Sequence, residues 1–398
     1  MVRGVRLLRF VLASSCLATA ANAAPKRPEP PPAAALDDTC TDAGCKVHAL
    51  DHFTAALASQ RAGKVDHPLR VSFVGDSLTA SDSISQVLRD KLGALLGAGG
   101  PGFVWAAAPH PFCQHHAVTR FVGGSWQIHG ISTSLAADHL LGLGGSAEGS
   151  GTIRFVPVTP IASVDVHYLE QPNGGSFAIV ADGAVVEEVA TVGAAKHANF
   201  SRVSVPVNTK KIELRARGRV RLFGASLEAA KGVVVDNLGI VNATAKAMSK
   251  YNLPDHLRGQ LAHRGSDLVI VMLGTNEAEW LAPQGFGIEE HEQVFGELLA
   301  SVRAANTESS CLVISPLDQI DWRLPNAPPR TSVPAMVAAQ HRAATAHGCA
   351  FWNIYEWMGG KGSSMTWFKR GLVVKDFQHP TTQGATRIAD ALYSGLVR

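Results

Sequence analysis

Four polar residues stand where an apolar run gives way to a turn, and their types suit acyl transfer. Ser77 follows the run 69–74, in Gly75-Asp76-Ser77-Leu78. Asn276 follows the run 267–273, in Gly274-Thr275-Asn276-Glu277. Asp376 and His379 are three apart in Asp376-Phe377-Gln378-His379-Pro380, just ahead of apolar positions at Ile388, Ala389, Leu392 and Leu396. A serine hydroxyl is a weak nucleophile. It needs a base within hydrogen-bond reach, and the base needs a partner that fixes its tautomer. His379 has the chemistry of the base and Asp376 that of its partner, at a spacing one short turn can span. Attack on an ester carbonyl puts negative charge on its oxygen, where each preorganised donor is worth about 2.7–4 kcal/mol. Candidate donors are the Ser77 backbone N–H, the Asn276 side-chain amide and a backbone N–H from the turn after Val235. Taken singly, each residue has a plainer reading: Ser77 as a helix cap, Asn276 as a turn residue, His379 as a cap before Pro380. Their occurrence together, each at the end of an element, favours the chemical one.

The elements that must position them read as α/β. After the Ser77 turn, Ile84, Val87, Leu88, Leu92 and Leu95 have helical spacing, so strand, turn and helix make a βα unit. Ligands of such sheets bind beyond the carboxyl ends of the strands, where helix N-termini also face anions. From residue 106 to 230 the helical period disappears. Alternating runs take its place: Val164, Val166, Tyr168; Phe177, Ile179; Val203, Val205, Val207; Ile212, Leu214, Ala216. Asp182-Gly183 is a hairpin turn signal. This stretch is expected to be a β-sandwich inserted into the α/β domain. Trp126 and Tyr168 are its candidate surface aromatics, with Tyr168 also a core candidate. The α/β pattern resumes at 233–239, and strand and helix alternate through 267–273, 289–305, 311–315, 333–347 and 349–354. About five parallel strands in a flavodoxin-like order are expected. The glycine-rich 97–102 follows a helix and lacks a Lys-Ser/Thr tail, which excludes a phosphate loop.

A chain of 398 residues with 46% hydrophobic composition has room for two domains with real cores. Arg3, Arg6 and Arg9, the apolar 7–17 and Ala21-Asn22-Ala23 read as a secretory signal over 1–23, so export to the periplasm or cell exterior is expected. Ser14-Ser15-Cys16 is a poor lipoprotein box. Residues 24–45, rich in Pro and Ala at their start, are read as a linker. Removing the three arginines takes Lys+Arg from 36 to 33, against 33 Asp+Glu. The near-neutral balance gives no support for nucleic-acid binding, and no later apolar run has the length of a membrane span. Cys40 and Cys45 are expected to form a local disulfide in an exported chain. Cys311 and Cys349 either pair or are simply buried, and Cys113 is left over. The cluster His110-Pro-Phe-Cys113-Gln-His115-His116 fits no standard zinc spacing, so neither a metal nor another cofactor is expected.

The three motifs in order resemble the GDSL, or SGNH, hydrolase family. Gly75-Asp76-Ser77-Leu78 matches its first block, Gly274-x-Asn276 its third and Asp376-x-x-His379-Pro380 its last. The resemblance implies Ser77, Asp376 and His379 as catalytic residues and Ser77, Asn276 and a second-block residue as the oxyanion hole. The family's second-block glycine aligns with Asn242 rather than Gly239, a departure that a backbone donor tolerates. Gly75–Asp82, Gly100-Pro-Gly-Phe103 and the inserted β-domain further resemble peptidoglycan O-acetylesterases, in which the sandwich looks like a carbohydrate-binding module. Leu78 stands where that group often has His. The expectation is a flavodoxin-like three-layer SGNH domain, residues 46–105 and 231–398, interrupted by the sandwich, 106–230. It would remove O-acetyl groups from a polysaccharide, with peptidoglycan the first choice. The alternatives are a deacetylase or acetyltransferase of another polysaccharide, or an inactive carbohydrate-binding protein.

Overall fold

The computed structural model describes residues 31–42, 44–280 and 287–398. The segment read as a signal, 1–23, lies outside the described residues. In chain order the first elements are β1 (Leu36–Asp37), α1 (Asp51–Arg61), β2 (Leu69–Gly75), α2 (Ser77–Ala80), α3 (Ser83–Leu96) and β3 (Gly102–Trp105). Then come β4 (Val118–Gly130), β5 (Gly145–Pro157), β6 (Ser163–Glu170), β7 (Ser176–Ala181), β8 (Ala184–Ala190), β9 (His197–Ser204) and β10 (Ile212–Glu228). The chain returns to α/β with β11 (Val233–Gly239), α4 (Ala245–Lys250), α5 (Pro254–Arg264), β12 (Leu268–Met272), α6 (Thr275–Trp280) and α7 (Ile288–Ala305). It ends with β13 (Ser310–Ile314), α8 (Ser332–Ala346), β14 (Ala350–Trp352), α9 (Ile354–Trp357), α10 (Ser363–Lys369) and α11 (Thr382–Leu396).

The first sheet runs β1-β14-β13-β12-β2-β11, parallel throughout except for β1. Counted by parallel strands alone, the order is 2-1-3-4-5, the flavodoxin-like order, whose switch point lies between β2 and β12. Alternation along each strand feeds two apolar layers. Val269 and Val271 face a cluster with α5, α7 and α8 through Leu261, Phe295 and Met336. Leu268, Ile270 and Met272 face another with α1, α3 and α11 through Phe53, Leu88 and Leu392. A disulfide joins Cys311 to Cys349 at the starts of β13 and β14, and a second joins Cys40 to Cys45.

The segment 24–45, expected as a linker, is built into the fold over its described part. Leu36 and Asp37 pair with Trp352 and Phe351 at the sheet edge, and Ala34 is buried against α11. After Pro31 and Pro32, Ala34 and Leu36 join the apolar layer under α11, and Leu36–Asp37 makes a short edge strand.

The eight antiparallel strands β3–β10 form one connected sheet around one core. The long β10 holds it together. Its first half pairs with β5 and β7, its second with β3 and β6. Register shifts between Ala216 and Val220 and between Leu222 and Gly224 bend it, so the sheet closes over its own apolar face. Tyr168 lies in this core, not on the surface. The sheet starts at Gly102 rather than at residue 106, because Gly102–Trp105 pairs with residues 224–227 near the end of β10.

The two layers are joined by a buried ionic network. Arg264 of α5 donates to both oxygens of Asp236 on β11, at 2.6 and 2.9 Å, and also to Glu228 on β10. Arg70 of β2 donates to Glu228 at 2.8 Å. Burial works against charge on Glu228, but Arg264 and Arg70 bring its carboxyl down to about 2. An unfolded glutamate titrates near 4.5, so this contribution to stability is complete above that pH and lost as pH falls toward 2. Arg264→Met would leave buried Asp236 without a charged partner and take one arginine from Glu228. The expected loss is about 3–5 kcal/mol, measured by urea unfolding at neutral pH.

Candidate active site

β2 delivers Ser77 to the carboxyl edge of the sheet at the switch point. A side chain at Gly75 would meet Thr79 Oγ1 at 2.2 Å and the Met272 carbonyl at 2.9 Å, so only glycine allows the chain to turn here. Asp76 caps the short α2, accepting from Leu78 N–H at 3.0 Å. Asp76 is fully buried, and that burial raises its carboxyl above the usual range against the pull of its hydrogen bonds and of His379.

His379 comes from the turn before α11. Asp376 Oδ1 accepts the backbone N–H groups of Gln378 and His379, at 2.9 and 3.0 Å, and Phe377 takes a positive φ of 60° to close that turn. The other carboxylate oxygen, Oδ2, lies 2.9 Å from His379 Nδ1, and His379 Nε2 lies 2.8 Å from Ser77 Oγ. With Nδ1–H donating to Asp376, the neutral ring presents its Nε2 lone pair to the serine hydroxyl. Asp376 raises the pKa of His379 through this hydrogen bond, against the opposing effect of burial. Burial favours the neutral form of Asp376, yet the hydrogen bonds from His379 and Gln378 outweigh it and hold the carboxyl low. The structure thus brings Ser77, His379 and Asp376 into one hydrogen-bonded chain.

The donors around this chain are placed as follows. Ser77 N–H lies at the first position of α2. Asn276, at the start of α6, uses one amide hydrogen to bond the Ala243 carbonyl at 2.8 Å. An amide carries two hydrogens, so the second remains for a ligand. Asn242 stands exposed at φ 62°, the left-handed conformation that Asn tolerates. Gly239, the other second-block candidate, has its N–H bonded to Asn237 Oδ1 at 3.0 Å, and a side chain there would meet Ala80 N at 2.2 Å. Gly239 is therefore a packing glycine under α2, and Asn242 is the candidate that faces open space.

Two residues without an assigned role in the sequence support the second-block turn. Glu277 Oε1 accepts Ala245 N–H at 2.8 Å, and its Oε2 is buried without a partner. Burial lifts this carboxyl to about 7, with the backbone bond opposing and Asp76 adding to the rise. Ser132, from the loop between β4 and β5, donates to the Val241 carbonyl at 2.6 Å. A cavity of about 590 Å³ opens beside the turn, lined by Ile131, Thr133, Leu135, Asn242, Tyr251 and Glu277 among others. Ser77 and His379 do not line it, so it is not the reaction centre itself, although it shares Asn242 with the candidate oxyanion donors. The only sequence signal for Glu277 was its place directly after Asn276. Ser132 carried none, because its contact spans two layers.

The His110–His116 segment packs over α2. Gln114 N–H donates to the Ala80 carbonyl at 2.9 Å and His116 N–H to Asp82 at 2.6 Å. His115 is pushed down to about 4 by burial, against the attraction of Asp82, and burial raises the Cys113 thiol.

Comparison with known proteins fits this arrangement. The GDSL-like lipase/acylhydrolase family matches residues 208–387. A solved structure described as a peptidoglycan O-acetylesterase in action superposes with a TM-score of 0.74 at 24% identity, covering 87% of this chain and 95% of that one. An acetylxylan esterase from Geobacillus stearothermophilus, at 15% identity, covers 42% of this chain and 73% of its own with a TM-score of 0.32. An α/β hydrolase from the metagenome of Lake Arreo, Spain, at 19% identity, covers 42% and 74% with the same score. These last two likenesses are too slight to carry an argument. No curated protein sequence matches. The parallel sheet with its antiparallel partner layer is an α/β fold of the SGNH type. Residues 208–387 are similar to the GDSL-like lipase/acylhydrolase family, and the fold is that of SGNH hydrolases.

The charge state of His379 predicts a pH profile. Its raised pKa means that the neutral base is lost on acidification earlier than for a free imidazole. The acid limb of kcat/KM on an aryl acetate is expected above the ordinary value of 6.5. Asp376→Asn removes the raising hydrogen bond. It should move that limb toward acid and lower the plateau by about 10⁴-fold. A second prediction concerns Glu277. Glu277→Gln keeps an oxygen for Ala245 N–H and should keep most activity, whereas Glu277→Leu leaves that donor unsatisfied and should cost about 1–3 kcal/mol in thermal unfolding.

Proposed function

We propose that this protein is an exported serine esterase that removes O-acetyl groups from a polysaccharide, with peptidoglycan as the favoured substrate. The hydrogen-bonded chain Ser77–His379–Asp376 at the switch point carries this reading. Ser77 Oγ attacks the acetyl carbonyl while His379 Nε2 takes its proton. Ser77 N–H, the free amide hydrogen of Asn276 and the Asn242 backbone receive the oxyanion. Collapse expels the sugar hydroxyl, which leaves with the proton from His379. Water, deprotonated by His379, then attacks the acetyl-serine, and acetate is released as Ser77 recovers its proton. These steps need no group beyond the residues named.

Three observations support the finer parts of the reading. The likeness to the peptidoglycan O-acetylesterase extends over 87% of this chain, so it takes in the antiparallel layer as well as the hydrolase layer. The loop 131–135 of that layer forms one wall of the cavity beside Asn242, where a polymer's neighbouring sugars would lie. Two disulfides suit an oxidising compartment, in keeping with the basic and apolar start of the sequence. No helix among the described residues is long and apolar enough to cross a membrane.

Ser77→Ala is expected to leave the thermal unfolding curve in place and lower ester hydrolysis by at least about 10⁴-fold, with a sulfonyl fluoride labelling Ser77 in the parent protein. Acetate release from O-acetylated peptidoglycan should exceed that from acetyl-xylan. The reverse order would overturn the substrate assignment. Thr133→Trp, which fills the cavity wall, should lower kcat/KM on the polymer by about tenfold and leave a small aryl acetate nearly unaffected. An equal loss on both would remove the polymer from that subsite.

A further inference from the structure

Away from the serine, two buried atoms without partners, on Asp165 and His167, lie in a cluster with His263 where the layers meet. β6 carries Asp165 and His167, two residues apart and so on one face of the strand. α5 carries Gln260 and His263, three apart and so on one face of the helix. His263 Nε2 lies 2.9 Å from Asp165 Oδ2. His167, wholly buried, has Nδ1 at 2.9 Å from Gln260 Oε1, while its Nε2 has no hydrogen-bond partner. Asp165 Oδ1 is likewise buried without one. One ligand atom from each of Asp165, His167 and His263 can be chosen so that all three lie within 4.8 Å of one another.

Protein groups alone do not resolve this arrangement. If His167 Nδ1–H donates to Gln260, Nε2 is a bare lone pair in the interior. If Gln260 is turned so that its amide donates to Nδ1, the proton moves to Nε2, which still has no acceptor. A buried polar atom left this way costs about 1–3 kcal/mol, and here there are two, on residues that share one cluster. The ion pair of Asp165 with His263 accounts for neither. A cation would satisfy both. The Gln260 bond to Nδ1 is the outer partner that metal-bound histidines have, fixing the tautomer with Nε2 free.

We propose that Asp165, His167 and His263 form a structural site for a zinc-class divalent cation that clamps β6 of the antiparallel sheet to α5 of the α/β layer. Two imidazole nitrogens and one carboxylate oxygen suit zinc, with water as the fourth ligand. The three residues line a cavity of about 60 Å³, enough for that water. The His263 side chain is 28% exposed and provides the way in. Arg70, Arg202 and Arg264 line the same cavity, where each is paired with Glu228 and Arg264 also with Asp236. The site uses none of Ser77, Asp376 or His379, so it is independent of the proposed esterase chemistry.

The test uses the full chain without an affinity tag, stripped with EDTA and titrated with zinc. Calorimetry should give one tight equivalent, and the midpoint of thermal unfolding should rise on its addition. Cobalt in place of zinc should give the intense visible bands of a low-symmetry site. His263→Ala, at a partly exposed position that does not threaten folding, should weaken zinc binding by at least about 100-fold, and Gln260→Leu by roughly tenfold. Hydrolysis of an aryl acetate below the unfolding midpoint should continue in EDTA. Zinc binding and midpoint shift unchanged in His263→Ala, or no tight equivalent in the parent protein, would overturn the proposal. An esterase that fails in EDTA and recovers with zinc in both parent and His263→Ala would instead count against the metal-free serine mechanism.

Discussion

One buried carboxylate holds the two layers in register. Asp236, in the middle of β11, accepts from Ser72 on β2 at 2.9 Å, from Phe103 N–H on β3 at 2.8 Å and from the Arg264 guanidinium on α5. Through Arg264 it reaches Glu228 at the end of β10. Parallel sheet, antiparallel sheet and helix layer thus meet on one side chain with no exposed surface. An apolar residue there would pack, but it could not specify which strand end meets which. The cost of burying the charges is offset by this network of directed bonds, and what the network secures is relative position.

That position matters because the site is assembled from both layers. β11 runs on from Asp236 into the Asn242 turn. The turn is held by Asn276 and Glu277 from the third-block helix and by Ser132 from the antiparallel layer. A shift between layers would move the turn relative to Ser77, whose own place is set by β2. Donors displaced by even an ångström lose much of their effect on a developing oxyanion. The antiparallel layer is therefore part of the hydrolase framework, in addition to forming one wall of the cavity.

Most of the architecture was legible because it rests on local periodicity. Runs such as 267–273 and 311–315, buried on both faces, mark parallel strands, and the order of motifs pointed to a flavodoxin-like sheet. Ser77, Asp376 and His379 were legible because each directly follows or precedes such a run. Asn242 was a candidate only through a family register, since the left-handed turn on which it sits is not encoded in composition. The edge strand at Leu36 was missed because a two-residue pairing among prolines leaves no period. Glu277, Ser132 and the Asp165–His167–His263 group depend on contacts between segments 32 to 109 residues apart or more. Nothing in the local sequence distinguishes those side chains from ordinary surface residues.

The hydrogen bond between Ser77 and His379 joins positions 302 residues apart. Closing a loop of that length in a disordered chain costs roughly 5 kcal/mol of entropy. A single neutral hydrogen bond returns about 1 kcal/mol. The contact is therefore too weak to draw its own ends together. It exists because β2 is zipped to β11 and β12, and α11 is packed on α3, independently of it. Ser77 and His379 meet as a by-product of completed sheet pairing, with high contact order and slow assembly as the kinetic corollary. Forms in which this pairing is incomplete hold Ser77 apart from His379, so the proposed reactivity toward esters would be confined to molecules that have finished folding.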